Sequence, residues 1–178
     1  MNHPRTTFAA LQRILDQEPQ RPFLLFAGET YSYALIAAAV ARWAARLRAA
    51  GVQRGDRVAL YLENCPAFVA AYLGVHAAGA AAVLVNTQYR QAELTHILAD
   101  SAAKAIIAGA AAALTELQRV QAELAEPPLV MLADEIPIAA SETTLDPACA
   151  PAPDDIALIG YTSGTTGRSK GALLTHAN

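Results

Sequence analysis

The 178 residues are 54% hydrophobic and 16% charged, enough apolar material for a sizeable core and close to the usual size of one domain. A formal net charge of -3 offers no basic field, which argues against nucleic acid or an anionic lipid surface as a partner. The two cysteines, Cys65 and Cys149, stand far apart with neither C-x-x-C spacing nor a histidine-rich neighbour, which argues against a zinc site or a disulfide framework and suits a reducing, cytoplasmic compartment.

Up to Arg21 the apolar residues are interrupted by Arg5, Arg13 and Asp16, so no continuous secretory signal is present. After Pro22, FLLFAGETYSY reads as two short strands about a turn at Gly28. Ser32 is placed to cap a helix running to about Ala50, with Leu35, Ala39, Trp43 and Leu47 on its buried face. Gly51 closes that helix, and a strand over 57–62 follows. The pattern then predicts helix 66–78, strand 81–85, helix 91–100, strand 105–108, helix 111–125 and strand 129–132. Strands separated by helices form parallel crossover units, so the expected class is α/β, a parallel-rich sheet with flanking helices.

Residues 64–89 contain no Asp, Glu, Lys or Arg, which raises the question of a membrane span. Gly79 divides the run into a helix and a strand, each too short to cross a bilayer. Asn64, His76 and Asn86 interrupt it and no Lys or Arg cluster flanks it, so we read it as buried, without stable membrane insertion. The stretch 134–155 carries Pro137, Pro147, Pro151 and Pro153 among small and acidic residues and reads as an exposed connection separating two sheet regions. Beyond it a strand over 156–160 runs into YTSGTTGRSKG, and 172–175 resembles a returning strand.

The loop from Tyr161 to Gly171 carries the chemistry. Thr162, Ser163, Thr165, Thr166 and Ser169 supply hydroxyl donors, Gly164, Gly167 and Gly171 supply backbone freedom, and Lys170 supplies a cation. Glycines let backbone N–H groups turn inward around phosphate oxygens, hydroxyls add donors without bulk, and the lysine adds mobile positive charge. A Walker loop is excluded, because Ser169 stands where its second glycine belongs and Gly171 where Ser or Thr should follow the lysine. The dinucleotide pattern G-x-G-x-x-G is absent as well.

YTSGTTGRSKGALLTHAN resembles the phosphate-loop motif of the AMP-forming adenylating enzymes: acyl-CoA synthetases, luciferases and nonribosomal peptide adenylation domains. The segments ETYSYALIAAAVARWAARLRAAGVQRGDRVALYLEN and AGAAAVLVNTQYRQAELTHILADSAAKAII are similar to that family in order and spacing, so the resemblance covers essentially the whole chain. The Asn86–Thr87 turn and the GRSKGALLTHAN ending look most like acyl-CoA synthetases, those acting on short or dicarboxylic acids such as malonate included.

The resemblance implies the N-terminal part of a large adenylation domain over 1–178. It implies a two-step ligase in which ATP and a carboxylic acid give an acyl-adenylate and pyrophosphate, and coenzyme A then takes the acyl group. Thr162, Ser163, Gly164, Thr165, Thr166, Gly167 and Lys170 would contact the β- and γ-phosphates, with magnesium sharing the charge. The base pocket, magnesium acid, acyl pocket, hinge and catalytic lysine of that family follow this motif, so no catalytic residue is expected within 1–178 and the piece alone is expected to be inactive. An amino-acid adenylation domain, a luciferase-like enzyme and a freestanding nucleotide-binding module remain alternatives, and a homo-oligomer is left open.

The remaining polar residues read as structural. His76 and His96 lie on predicted helices with no visible partner, while His176 beside the loop is left open. The pairs Asp134–Glu135 and Asp154–Asp155 read as solvated, and Trp43, Tyr31 and Tyr33 as core.

Overall fold

The computed structural model describes residues 5–109, 112–162 and 169–178. Helix α1 (Thr7–Gln17) begins at Thr6, whose hydroxyl accepts the Ala9 N–H at 3.0 Å, and buries Phe8 and Leu11. Strands β1 (Pro22–Phe26) and β2 (Glu29–Ser32) pair as an antiparallel hairpin. Its turn holds Ala27 at φ 51° and Gly28 at φ 84°, the two left-handed residues that a tight hairpin of this twist requires.

Helix α2 (Tyr33–Ala49) is capped as expected, the Ser32 hydroxyl accepting the Leu35 N–H at 3.3 Å. Of the predicted face, Ala39, Trp43 and Leu47 are fully buried, joined by Ile36 and Val40, whereas Leu35 is only half-buried. At 3.6 residues per turn Leu35 lies about 80° round the helix from Trp43, and Ile36 only about 20°. A line drawn in steps of four drifts off the face that the core selects.

The predicted alternation is then observed in β3 (Arg57–Tyr61), α3 (Pro66–Ala77), β4 (Ala81–Leu84), α4 (Gln91–Ser101), β5 (Ala105–Ala108), α5 (Ala112–Glu123) and β6 (Leu129–Leu132). Gly79, at φ 79°, divides the uncharged run into α3 and β4 as the sequence indicates. Among the described residues no helix is long and apolar enough to cross a membrane.

Strands β7 (Ile156–Thr162) and β8 (Lys170–Thr175) complete one six-stranded sheet of order β6-β5-β3-β4-β7-β8. Every pairing is parallel except β7 with β8. The connection 134–155 therefore does not separate two sheets: β7 returns across the molecule to lie beside β4, with Leu158 opposite Ala82. Its apolar residues fall on both faces, which suits a strand inside a sheet covered on both sides. The connection is largely exposed, although Ile136, Ile138 and Leu145 rest against the core.

Alternation along the strands builds two cores. Val58, Leu60, Ile107 and Met131 point to one face, beneath α1, α2 and α3. Ala59, Tyr61, Ile106 and Ile159 point to the other, beneath α4 and α5. The chain thus leaves β3 towards one face and leaves its neighbour β5 towards the other, opening a crevice at their carboxyl ends.

Candidate functional site

Of the seven predicted phosphate-loop residues, the structure places Thr162 and Lys170, while Ser163, Gly164, Thr165, Thr166 and Gly167 lie outside the described residues. Strands β7 and β8 reach further into the motif than the sequence suggests. Thr162 and Lys170 are registered directly opposite each other, so the two form the mouth of the hairpin, and the exposed Lys170 stands where the chain re-enters the sheet. This mouth lies at the carboxyl end of β7.

Helix α4 grips the hairpin at its mouth, with one attachment on either side of the last strand pair. The imidazole of His96 donates from Nε2 to the Ser169 carbonyl at 2.9 Å; a carbonyl only accepts, so that nitrogen carries the proton. One turn further along the same helix face, the Asp100 carboxylate accepts the Tyr161 hydroxyl at 2.6 Å. The His96 and Tyr161 rings meet edge-on, their centroids 6.3 Å apart. Burial, together with the bond to Asp100, raises the Tyr161 pKa, so the phenol remains a neutral donor.

Gly171, read from sequence as a flexible point, sits opposite Tyr161, and a Cβ there would come 3.0 Å from Ile159 Cγ2 and 3.2 Å from Tyr161 Cζ. Its bare Cα makes room for the ring. The sequence reading of His96 as partnerless is therefore corrected: its acceptor lies 73 residues along the chain, beyond any local pattern. The only signal available was its i, i+4 spacing to Asp100.

His76 and His176 form a separate cluster. His76 is 1% exposed, with Nδ1 accepting from the Thr7 hydroxyl at 2.7 Å and Nε2 donating to the Ala157 carbonyl at 2.9 Å, so it is a packed histidine as the sequence indicated. His176 packs edge-on against it at 4.7 Å between ring centroids, and its buried Nε2 has no partner among the described residues. The acidic pairs are not merely solvated: Glu135 meets Arg46 at 3.3 Å and Asp155 meets Arg54 at 2.6 Å. The local sequence hides this, because both arginines belong to distant segments. Among the described residues no group of three or more His, Cys, Asp or Glu could hold a metal ion.

The crevice beside β3 and β5 encloses about 720 Å³. Leu62, Ile136 and Ile138 supply apolar wall, with Glu63, Arg90 and Asp134 among its charged lining residues. Glu63 accepts the Thr87 hydroxyl at 2.6 Å, and the Arg90 guanidinium is tied to the Thr87 and Tyr89 carbonyls at 3.0 Å each. Because β3, β4 and β7 run parallel, crevice and hairpin mouth lie at the same end of the sheet, with β3 two strand spacings, about 10 Å, from β7.

Known proteins share this fold. Residues 11–178 match the model of a family described as AMP-binding enzyme. A feruloyl-CoA synthase of an Amycolatopsis species is 40% identical over 151 residues, covering 85% of this chain and 29% of that enzyme. Surfactin synthase subunit 3 of Bacillus subtilis is 36% identical over 164 residues, covering 92% of this chain and 12% of that protein. The structure of a Mycobacterium tuberculosis fatty acyl CoA synthetase superposes with a TM-score of 0.80 at 30% identity, covering 97% of this chain and 35% of that one. The chain thus spans about a third of the length of these CoA-forming relatives. With the family model reaching from α1 through the hairpin and the sheet shared with a solved synthetase, the chain belongs to the AMP-binding enzyme family.

Proposed function

We propose that this chain is the phosphate-holding portion of an AMP-forming acyl-CoA ligase, which activates a carboxylic acid as its acyl-adenylate and passes the acyl group to coenzyme A. The observation that carries the reading is the hairpin mouth. Lys170 stands exposed at the carboxyl end of the sheet, registered against Thr162, at the foot of a hydroxyl- and glycine-rich loop within the family match. Charge develops on the departing pyrophosphate as the carboxylate attacks the α-phosphorus, and donors already fixed in place stabilise that charge without reorganising. Thr162, Ser163, Gly164, Thr165, Thr166, Gly167 and Lys170 are the proposed donors.

Magnesium would arrive with ATP as its counter-ion, and the described residues offer it no carboxylate cluster of their own. The crevice at the β3–β5 boundary is within the usual size range of small-molecule sites and gives an organic reactant room at the same end of the sheet. Free thiols at Cys65 and Cys149 suit a cytoplasmic setting.

The test is ATP–pyrophosphate exchange by the protein as its gene encodes it, across fatty, aromatic and short dicarboxylic acids, followed by a coenzyme A–dependent thioester assay. Exchange with a carboxylic acid and thioester formation support the ligase. The similarity to a surfactin synthase subunit favours amino-acid activation as a second reading, and exchange with amino acids alone would select it.

A further inference from the structure

We propose that His96 is a positioning residue for the phosphate loop, holding the Ser169 carbonyl so that Lys170 leaves the hairpin in the direction the phosphates require. The inference rests on the adenylation reading and adds to it a residue from outside the motif.

Strand pairing ends at Thr162 and Lys170, and Ser169 lies one residue beyond it on the loop side. The His96 bond therefore adds nothing to the sheet ladder. It acts on the first peptide the ladder does not hold. That peptide is rigid and planar and joins the Ser169 carbonyl to the Lys170 nitrogen. With the carbonyl held by His96 on one side and Lys170 registered against Thr162 on the other, the plane of the peptide is set, and with it the departure of the lysine side chain.

The imidazole is held in turn. Tyr161 meets it edge-on, the Tyr161 hydroxyl is anchored to Asp100, and Gly171 leaves space for the ring. His96 and Asp100, spaced i, i+4, make two attachments to the hairpin from one face of α4. Buried Leu94, Ile97 and Leu98 bed the helix into the core. A surface loop is thereby referred to a rigid element, which a preorganised anion site needs.

Three variants test this in the protein as its gene encodes it. His96→Ala removes the donor, His96→Gln keeps an N–H donor at similar reach, and His96→Asn is polar but too short to reach Ser169. In ATP–pyrophosphate exchange, His96→Ala should raise KM for ATP about tenfold, the scale of one lost hydrogen bond, with kcat changed less than about threefold. His96→Gln should restore KM to within about threefold, and His96→Asn should behave as Ala does. Where Ala disturbs the fold, the Gln–Asn contrast carries the test. In parallel, amide hydrogen exchange at Lys170 and Gly171 should quicken in His96→Ala and His96→Asn and recover in His96→Gln, with α3 and β3 unaffected. Unchanged KM and unchanged amide protection in the Ala and Asn variants would overturn the proposal, as would failure of Gln to restore either. If the unmodified protein exchanges pyrophosphate with no acid, the adenylation reading fails, and the amide measurement alone decides whether His96 holds the loop stem.

Discussion

His76 shows how a polar side chain becomes part of a core. Both ring nitrogens are used, one accepting from Thr7 and one donating to Ala157, which demands the neutral ring. Burial holds its pKa down to about 4 from 6.5, against the opposing pull of the Ala157 bond and with a small push from His176. His176 is lowered too, again by burial, with Asp155 opposing. The folded state thus refuses a proton that the unfolded chain accepts below about 6.5. Stability is complete above that value and is lost as pH falls towards 4, by on the order of 3 kcal/mol for His76. Urea unfolding from pH 7 down should show this slope, flattened in His76→Gln; parallel slopes would refute the assignment. Lys170 makes a contrasting prediction. It is exposed, outside the core, and its proposed role is at the phosphates, so Lys170→Ala should leave the urea midpoint in place yet lower kcat/KM for ATP in exchange by about a hundredfold. The loop proposed to hold phosphate is read from local chemistry, since hydroxyls, glycines and a lysine in one loop supply anion donors. His96 is not, because only the packing of α4 brings it to Ser169.

At the scale of elements, α2 and α3 carry the tightest junction. A Cβ on Gly74 would lie 2.4 Å from Trp43 Cβ, so the two helices approach as closely as a missing side chain allows. Gly74→Ala must push α2 and α3 apart or displace the fully buried Trp43, and should cost about 2–3 kcal/mol. A thermal melt checks this, and an unchanged midpoint would mean that the junction yields without cost. Helix ends were legible in the sequence because capping is local: Ser32 and Gly51 act within one turn of the residues they cap. The buried face of α2 was legible at Ala39, Trp43 and Leu47 but not at Leu35, since several faces of an alanine-rich helix look equally apolar until β3 and α3 choose one. The two strands flanking the loop were also underestimated, because pairing continues through polar Thr162 and Lys170, where hydrophobicity gives no cue.

The whole molecule depends on the long return from β6 to β7. The Arg42 guanidinium of α2 donates to the carbonyls of Pro137 and Ala139, tying the exposed connection down far from its own place in the chain. Arg42→Ala should release it, and limited proteolysis should then cut within 139–146 several-fold faster, with little change in global stability. Equal cleavage rates in the two proteins would show that Ile136, Ile138 and Leu145 anchor the connection unaided. The same return creates the geography of the site: it sets β7 beside β4, and thereby places the hairpin mouth and the β3–β5 crevice at one end of a single sheet.

By itself the sequence determined the α/β class, the order of the helices and strands and the capped helix ends, and it supplied the residue types of the proposed phosphate loop, since each follows from periodicity or from chemistry within a few neighbouring residues. The tertiary structure alone decided that β7 joins the first sheet, that Gly171 seats a tyrosine ring, that Glu135 and Asp155 find arginines, and that His96 bonds the Ser169 carbonyl. Apart from Gly171 and Tyr161, which face each other across one hairpin, those contacts join residues far apart in the chain, and only the packing of the whole sheet and its helices brings them together.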